Sequence, residues 1–190
     1  MFNKLFFIIL FLAASLLNAQ NNEFTLDTVN TPLSDEAIAD AFNQLGLEEY
    51  RFLCDFDSGY GIAIYIEKYK KGKLVDTSKI STIGKEDCKL ERCTLFIIKE
   101  DNKVKFSTSY TCGPEKMKGS ASSQFKLYKR GYSIGTPFNN PVLKLGELTP
   151  IYLFANDRGA VMVNDTLSIE EVIARYGQVF IVKYELIKFI

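Results

Sequence analysis

Apolar and polar residues alternate along most of this chain, and a period of two is the signature of half-buried β-strands. Tyr50, Phe52, Cys54 and Phe56 oppose Arg51, Leu53, Asp55 and Asp57, and Ile62, Ile64 and Ile66 resume the pattern after a Ser58-Gly59 turn. A second turn at Lys71-Gly72 returns the chain through Leu74 and Val75. Residues 94–110 predict a hairpin around a two-residue turn at Asp101-Asn102. That register sets Ile97 opposite Phe106 and Leu95 opposite Thr108, with Lys105 and Ser107 on the other face. Further strands are predicted at 125–134, 150–155, 160–163 and 179–189, about eight strands in all.

Two segments switch to helical spacing. In residues 34–46, Ser34 is an N-cap, Asp35 and Glu36 suit the positive helix start, and Ala37, Ile38, Ala41, Phe42 and Leu45 form one stripe that Gly46 ends. In residues 168–177, Ser168 and Glu171 form a capping box, Ile169, Val172, Ile173 and Tyr176 share a face, and Gly177 is the stop. The expected fold is therefore α+β: a largely antiparallel sheet of about eight strands with two short amphipathic helices on one face. Residues 113–123, small and polar, predict a surface loop.

The N-terminus sets the compartment. Lys4 precedes an apolar run over residues 5–17 that ends in Leu17-Asn18-Ala19, the form of a secretory signal peptide cleaved after Ala19. Its length of 13 residues falls short of the roughly 20 a membrane span requires. The mature chain is expected to be one globular domain, residues 20–190, exported to the periplasm or the extracellular space, with no transmembrane segment.

Composition then narrows the chemistry. The chain has no histidine, which removes Ser-His and Cys-His nucleophile pairs and histidine-bearing zinc sites. No cofactor or metal motif stands out. Four cysteines in an exported chain read as two disulfides, with Cys93–Cys112 suggested by the hairpin register and Cys54–Cys88 left over; a Cys88–Cys93 loop competes. Charge is uneven although the chain is formally neutral: residues 20–59 carry one basic and nine acidic groups, and residues 60–130 carry sixteen basic and eight acidic. Nothing in that balance calls for nucleic acid.

Two clusters are candidate ligand-facing groups. Asp55 and Asp57 lie on one side of a strand, about 7 Å apart by strand rise, a spacing suited to paired carboxylates; turn chemistry beside Ser58-Gly59 is the plainer account. Lys68, Lys70, Lys71 and Lys73 surround Tyr65 and Tyr69, a mixture that binds anions in some settings and in others keeps a hairpin end soluble. Ser123 and Lys126 match a Ser-x-x-Lys pattern without its companion motifs. Asn164-Asp165-Thr166 fits a glycosylation acceptor.

Residues 150–177 run strand, Asp-Arg-Gly turn, strand, Asn-Asp and capping-box helix. In this the segment resembles the periplasmic domain of small biopolymer-transport proteins, which implies a partner in a proton-driven envelope motor. Those proteins keep an anchor helix bearing an aspartate, whereas residues 5–17 contain no acid. More broadly, a signal ending in Asn18-Ala19-Gln20 before a mixed sheet resembles exported bacterial domains of unknown function. The function these readings favour is a non-enzymatic exported binding or envelope-associated module whose partner is a protein or envelope component. The alternative is a histidine-free hydrolase using paired carboxylates.

Overall fold

The computed structural model describes residues 23–29, 45–54, 56–84, 86, 89–100, 102–113, 117–128, 131–159 and 167–189. In chain order these form β1 (Glu23–Thr25), β2 (Asp27–Val29), β3 (Leu47–Leu53), β4 (Tyr60–Lys70), β5 (Lys73–Ile83), β6 (Leu90–Glu100), β7 (Lys103–Cys112) and β8 (Met117–Lys126). Then come β9 (Tyr132–Pro137), β10 (Val142–Lys144), β11 (Leu148–Asp157), the helix α1 (Ile169–Arg175) and β12 (Gln178–Lys188). One five-stranded sheet has the order β5-β4-β12-β11-β9, a second β2-β3-β6-β7-β8, and β1 pairs with β10 in a small ribbon.

The two large sheets pack face to face. From the first come Ile62, Ile64, Ile66, Phe154, Phe180 and Tyr184, and from the second Phe52, Leu95, Ile97, Val104 and Phe106, all fully buried in one core. Phe106 is its hub, with ring centroids 6.1 Å from Phe125, Phe154 and Phe180. Truncating such a residue to alanine costs about 3–5 kcal/mol through lost transfer energy and the cavity left behind. On the outer face of the first sheet, Val172 of α1 covers Leu153, Ala155, Val179 and Ile181.

This architecture corrects the α+β expectation. Strands take up 71% of the described residues and helix 5%, in one helix. The period-two signal extends further than the sequence reading carried it: β4, β5 and β6 each run 11 residues. Of the first predicted helix, residues 34–44 lie outside the described residues, and Leu45 and Gly46 form a turn with Gly46 at φ +69°. The second is present with its capping box: Ser168 Oγ accepts from Glu171 N at 3.2 Å, and Glu171 Oε2 accepts from Ser168 N at 2.7 Å.

Register was more legible than layering. Ile97 pairs with Phe106, Leu95 with Thr108 and Cys93 with Tyr110, as the hairpin predicts. The expected loop at 113–123 is instead largely strand β8, paired along β7 from Cys112↔Met117 to Lys103↔Lys126. Glycine and serine are poor strand formers, but pairing with β7 overrides their local preference. Gly119 makes room for the Tyr110 ring, which a Cβ there would approach to 2.4 Å. The expected strand at 125–134 is broken, since Lys126 ends β8 in the second sheet and Tyr132 begins β9 in the first, with residues 129 and 130 outside the described residues. Asn156 and Gln178 fasten that crossover, both accepting from Tyr128 N, at 3.0 and 3.1 Å. The predicted strand at 160–163 falls outside the described residues, apart from which the last third follows the pattern in β11 and β12.

Candidate functional site

The hairpin turn at Lys71-Gly72 needs left-handed backbone at both positions, and both have it, at φ +50° and +78°. Lys70 and Lys73 therefore face each other across the strands, and both are exposed, as is Lys71. Lys68 behaves differently. Its side chain turns toward the core edge, with Nζ 5.9 Å from the Phe125 ring centroid and 5.8 Å from that of Phe180. Ring quadrupoles hold the ammonium there, an attraction of about 0.5–2 kcal/mol.

The second sheet brings further lysines to the same end. Gln178, the cross-strand partner of Lys70, donates from Nε2 to the Lys126 carbonyl at 3.3 Å. Lys126 in turn faces Lys103 across β7 and β8. Lys68, Lys70, Lys73, Lys103 and Lys126 thus gather at one end of the sandwich. The acids in register with them are Asp76, which accepts from Ser78 Oγ at 2.8 Å, and Glu100, the partner of Lys103 on β6. Among the described residues no ion pair joins these five lysines to a carboxylate.

From that end the outer face of the β7–β8 ribbon continues as a polar track. Val104, Phe106 and Thr108 point into the core, so Lys103, Lys105, Ser107 and Ser109 point out. Across from them stand Lys126, Gln124, Ser122 and Ser120, all exposed. Ser107 Oγ donates to the Ala121 carbonyl at 3.3 Å. These eight positions include no acid and no apolar side chain. The loop expected at 113–123 hides this face in the sequence. The available signal was the alternation of Gly119, Ala121, Ser123 and Phe125 with Ser120, Ser122, Gln124 and Lys126.

A second polar cluster lies between the sheets. Glu48 reaches across from β3, and its Oε2 accepts from Tyr152 Oη of β11 at 2.6 Å and from Tyr50 Oη at 3.0 Å. Its Oε1 is ion-paired with Lys99 Nζ, which also sits 5.7 Å from the Phe154 ring centroid. Burial raises the Glu48 pKa, but the Lys99 and tyrosine hydrogen bonds outweigh it and hold the carboxyl below its ordinary value. The same burial and the carboxylate raise Tyr50 and Tyr152. Gly135 leaves room for this contact, since a Cβ there would fall 1.5 Å from Tyr152 Oη. Every polar tip in the cluster is satisfied by another, which makes it a clasp between the sheets.

The remaining candidates separate. Asp55 lies outside the described residues; Asp57 is exposed, and its carbonyl accepts from Tyr60 N at 3.4 Å in the turn. The predicted cysteine pairing is corrected: Cys54 and Cys93 are buried free thiols, whereas Cys112 is disulfide-bonded and Cys88 lies outside the described residues. Cys93 stands opposite Tyr110 as predicted, and beyond it a bulge between Leu90 and Arg92 sets Leu90 opposite Cys112. Cys93 Sγ lies 3.4 Å from Tyr184 Oη, and burial pushes its thiol pKa up to about 12. Asp157 closes the Asp-Arg-Gly turn, accepting from Gly177 N at 2.7 Å. Among the described residues no group of three His, Cys, Asp or Glu side chains is arranged to hold a metal ion, and no helix is long and apolar enough to cross a membrane. No family model, no curated protein and no solved structure matches this chain.

Proposed function

We propose that this chain is an exported, non-enzymatic binding module whose contact surface is the outer face of the β7–β8 ribbon together with the adjoining lysine end. The observation that carries the reading is the set of directly opposed lysines, Lys70 with Lys73 and Lys103 with Lys126, beside a β7–β8 face of donors and hydroxyls, with Asp76 and Glu100 the acids in register. Like charges directly opposite on antiparallel strands destabilise a sheet. A face kept only for solubility gains nothing from them, because alternating signs would serve as well. A negatively charged partner converts the same arrangement into attraction.

The test is crosslinked capture of envelope material by the tagged mature chain at low and high salt, beside a Lys103→Glu/Lys126→Glu variant. The wild-type chain should retain material at low salt that is released at high salt, and the variant should retain little at either. Equal retention by both chains would place the contact elsewhere and overturn the reading.

A further inference from the structure

Resting on that binding-module reading, we infer that the partner of the β7–β8 face is an extended anionic polysaccharide, a polymer of acidic sugars lying along the ribbon from its lysine end. The first ground is shape. Lys103 to Ser109 spans six residue steps, about 20 Å at ordinary strand rise, on a ribbon two strands wide. Lys70 and Lys73 extend the same end onto the first sheet. The footprint is long and narrow, as an extended chain requires. A stable protein interface needs a broad patch of about 800 Å² per partner with a desolvated apolar centre.

Chemistry is the second ground. Lysine ammoniums donate three hydrogen bonds and accept none, and the eight ribbon positions carry no carboxylate, Glu100 of β6 being the acid that adjoins them opposite Lys103. The ribbon's complement is therefore rich in acceptors and negatively charged. Serine hydroxyls and the Gln124 amide both donate and accept, which suits the hydroxyls of a sugar polymer between its charges. Nucleic acid fits less well, because single strands are held by stacking on aromatic side chains and the ribbon carries none. Phe96, the outward aromatic beside Ser107, sits one strand away on β6. A membrane surface fits less well again, since no apolar side chain on these eight positions is available to enter the acyl boundary.

The experiment is an amide-shift titration by NMR of the isotope-labelled mature chain, using polygalacturonate oligomers, a neutral cello-oligosaccharide of the same length and single-stranded DNA. The expected result is saturable shifts on β7, β8 and the Lys70–Lys73 turn with the polyuronate. Its apparent Kd should weaken about tenfold or more as salt rises from about 50 to about 200 mM, as released counterions require. Lys103→Glu/Lys126→Glu should lose at least tenfold in affinity, whereas Lys188→Gln at the opposite end of β12 should lose none. Equal binding of the neutral sugar would overturn the anionic class while leaving the face as a binding surface. Tighter binding of DNA would overturn the polysaccharide in favour of another polyanion. If no probe shifts the ribbon while envelope capture still depends on Lys103 and Lys126, the inference fails and the binding-module reading stands. If capture fails as well, both fall.

Discussion

Replacing Glu48 by alanine removes one carboxylate that three groups share, so its cost can be worked from what each partner loses. Tyr152 is fully buried, and its hydroxyl has no route to water once Glu48 Oε2 is gone. Leaving such a donor unpaired costs about 1–3 kcal/mol. Tyr50 is half-buried and gives up about 1 kcal/mol. Lys99 keeps 28% of its side chain exposed and can turn outward, so its share is at most about 1 kcal/mol. The sum is roughly 2–5 kcal/mol, which in a chain of this size lowers the melting temperature by on the order of 10 °C. Calorimetry and urea unfolding at pH 7 would measure it, with Glu48→Gln expected to lose about half as much because an acceptor oxygen remains. The pH dependence has a fixed sign. The folded carboxyl lies below its ordinary value of 4.5, so its stabilisation is present above that pH and is lost as acid protonates it. The gap between wild type and Glu48→Gln should therefore narrow below about pH 4.5. A loss under about 0.5 kcal/mol in Glu48→Ala, or a gap that persists in acid, would falsify the account of Glu48 as an inter-sheet clasp.

Cysteine titration with an aromatic disulfide reagent, without reductant, should find no reactive thiol in the native chain and two in denaturant, from Cys54 and Cys93; four would remove the Cys112 disulfide. Burial raises the folded pKa of Cys93 to about 12 and that of Cys54 well above its ordinary 9.0. Their contribution is thus whole below pH 9 and lost as pH rises toward 12, so urea midpoints should fall across that window and fall less in Cys54→Ala/Cys93→Ala; equal slopes would discard the thiols as the cause. Thr108 Oγ1 is buried without a hydrogen-bond partner among the described residues, so the near-isosteric Thr108→Val should stabilise the fold by about 1 kcal/mol, and a loss of stability would reveal a partner for the hydroxyl. Lys103→Gln relieves the repulsion with Lys126 and should raise stability by a few tenths of a kcal/mol at low salt and by nothing measurable at high salt; a salt-independent change would assign the effect to packing.

What the sequence made legible was pairing, and what it hid was layering. Hairpin register follows from turn length and from which face is apolar, so Ile97↔Phe106 and Leu95↔Thr108 could be read directly. Whether ten or so strands make one sheet or two depends on contacts between distant segments, such as Phe106 of β7 against Phe180 of β12, and no local pattern encodes them. The same limit hid the candidate face. Lys68, Lys70, Lys71 and Lys73 stand out as a run, but Lys103 and Lys126 join them only because Gln178 ties the β8 carbonyl beside Lys70. Apolar patterning likewise marks neither the bulge at Leu90–Arg92 nor the free state of Cys93.

The position of the candidate face follows from the same construction. Lys105 and Ser107 alternate with Val104 and Phe106, so each outward side chain is carried on backbone fixed by a fully buried neighbour. At the lysine end, Lys126 is held through its carbonyl by Gln178, and Lys68 by the Phe125 and Phe180 rings. A ligand arriving there therefore has little backbone entropy to remove, and the lysine repulsion present in the free protein is relieved when it binds. Mobile lysines on a loop would spread apart when free and would have to be collected again on binding. Set on strands, they stay at fixed spacing, which would let the proposed face discriminate among polymers by the distance between their charges.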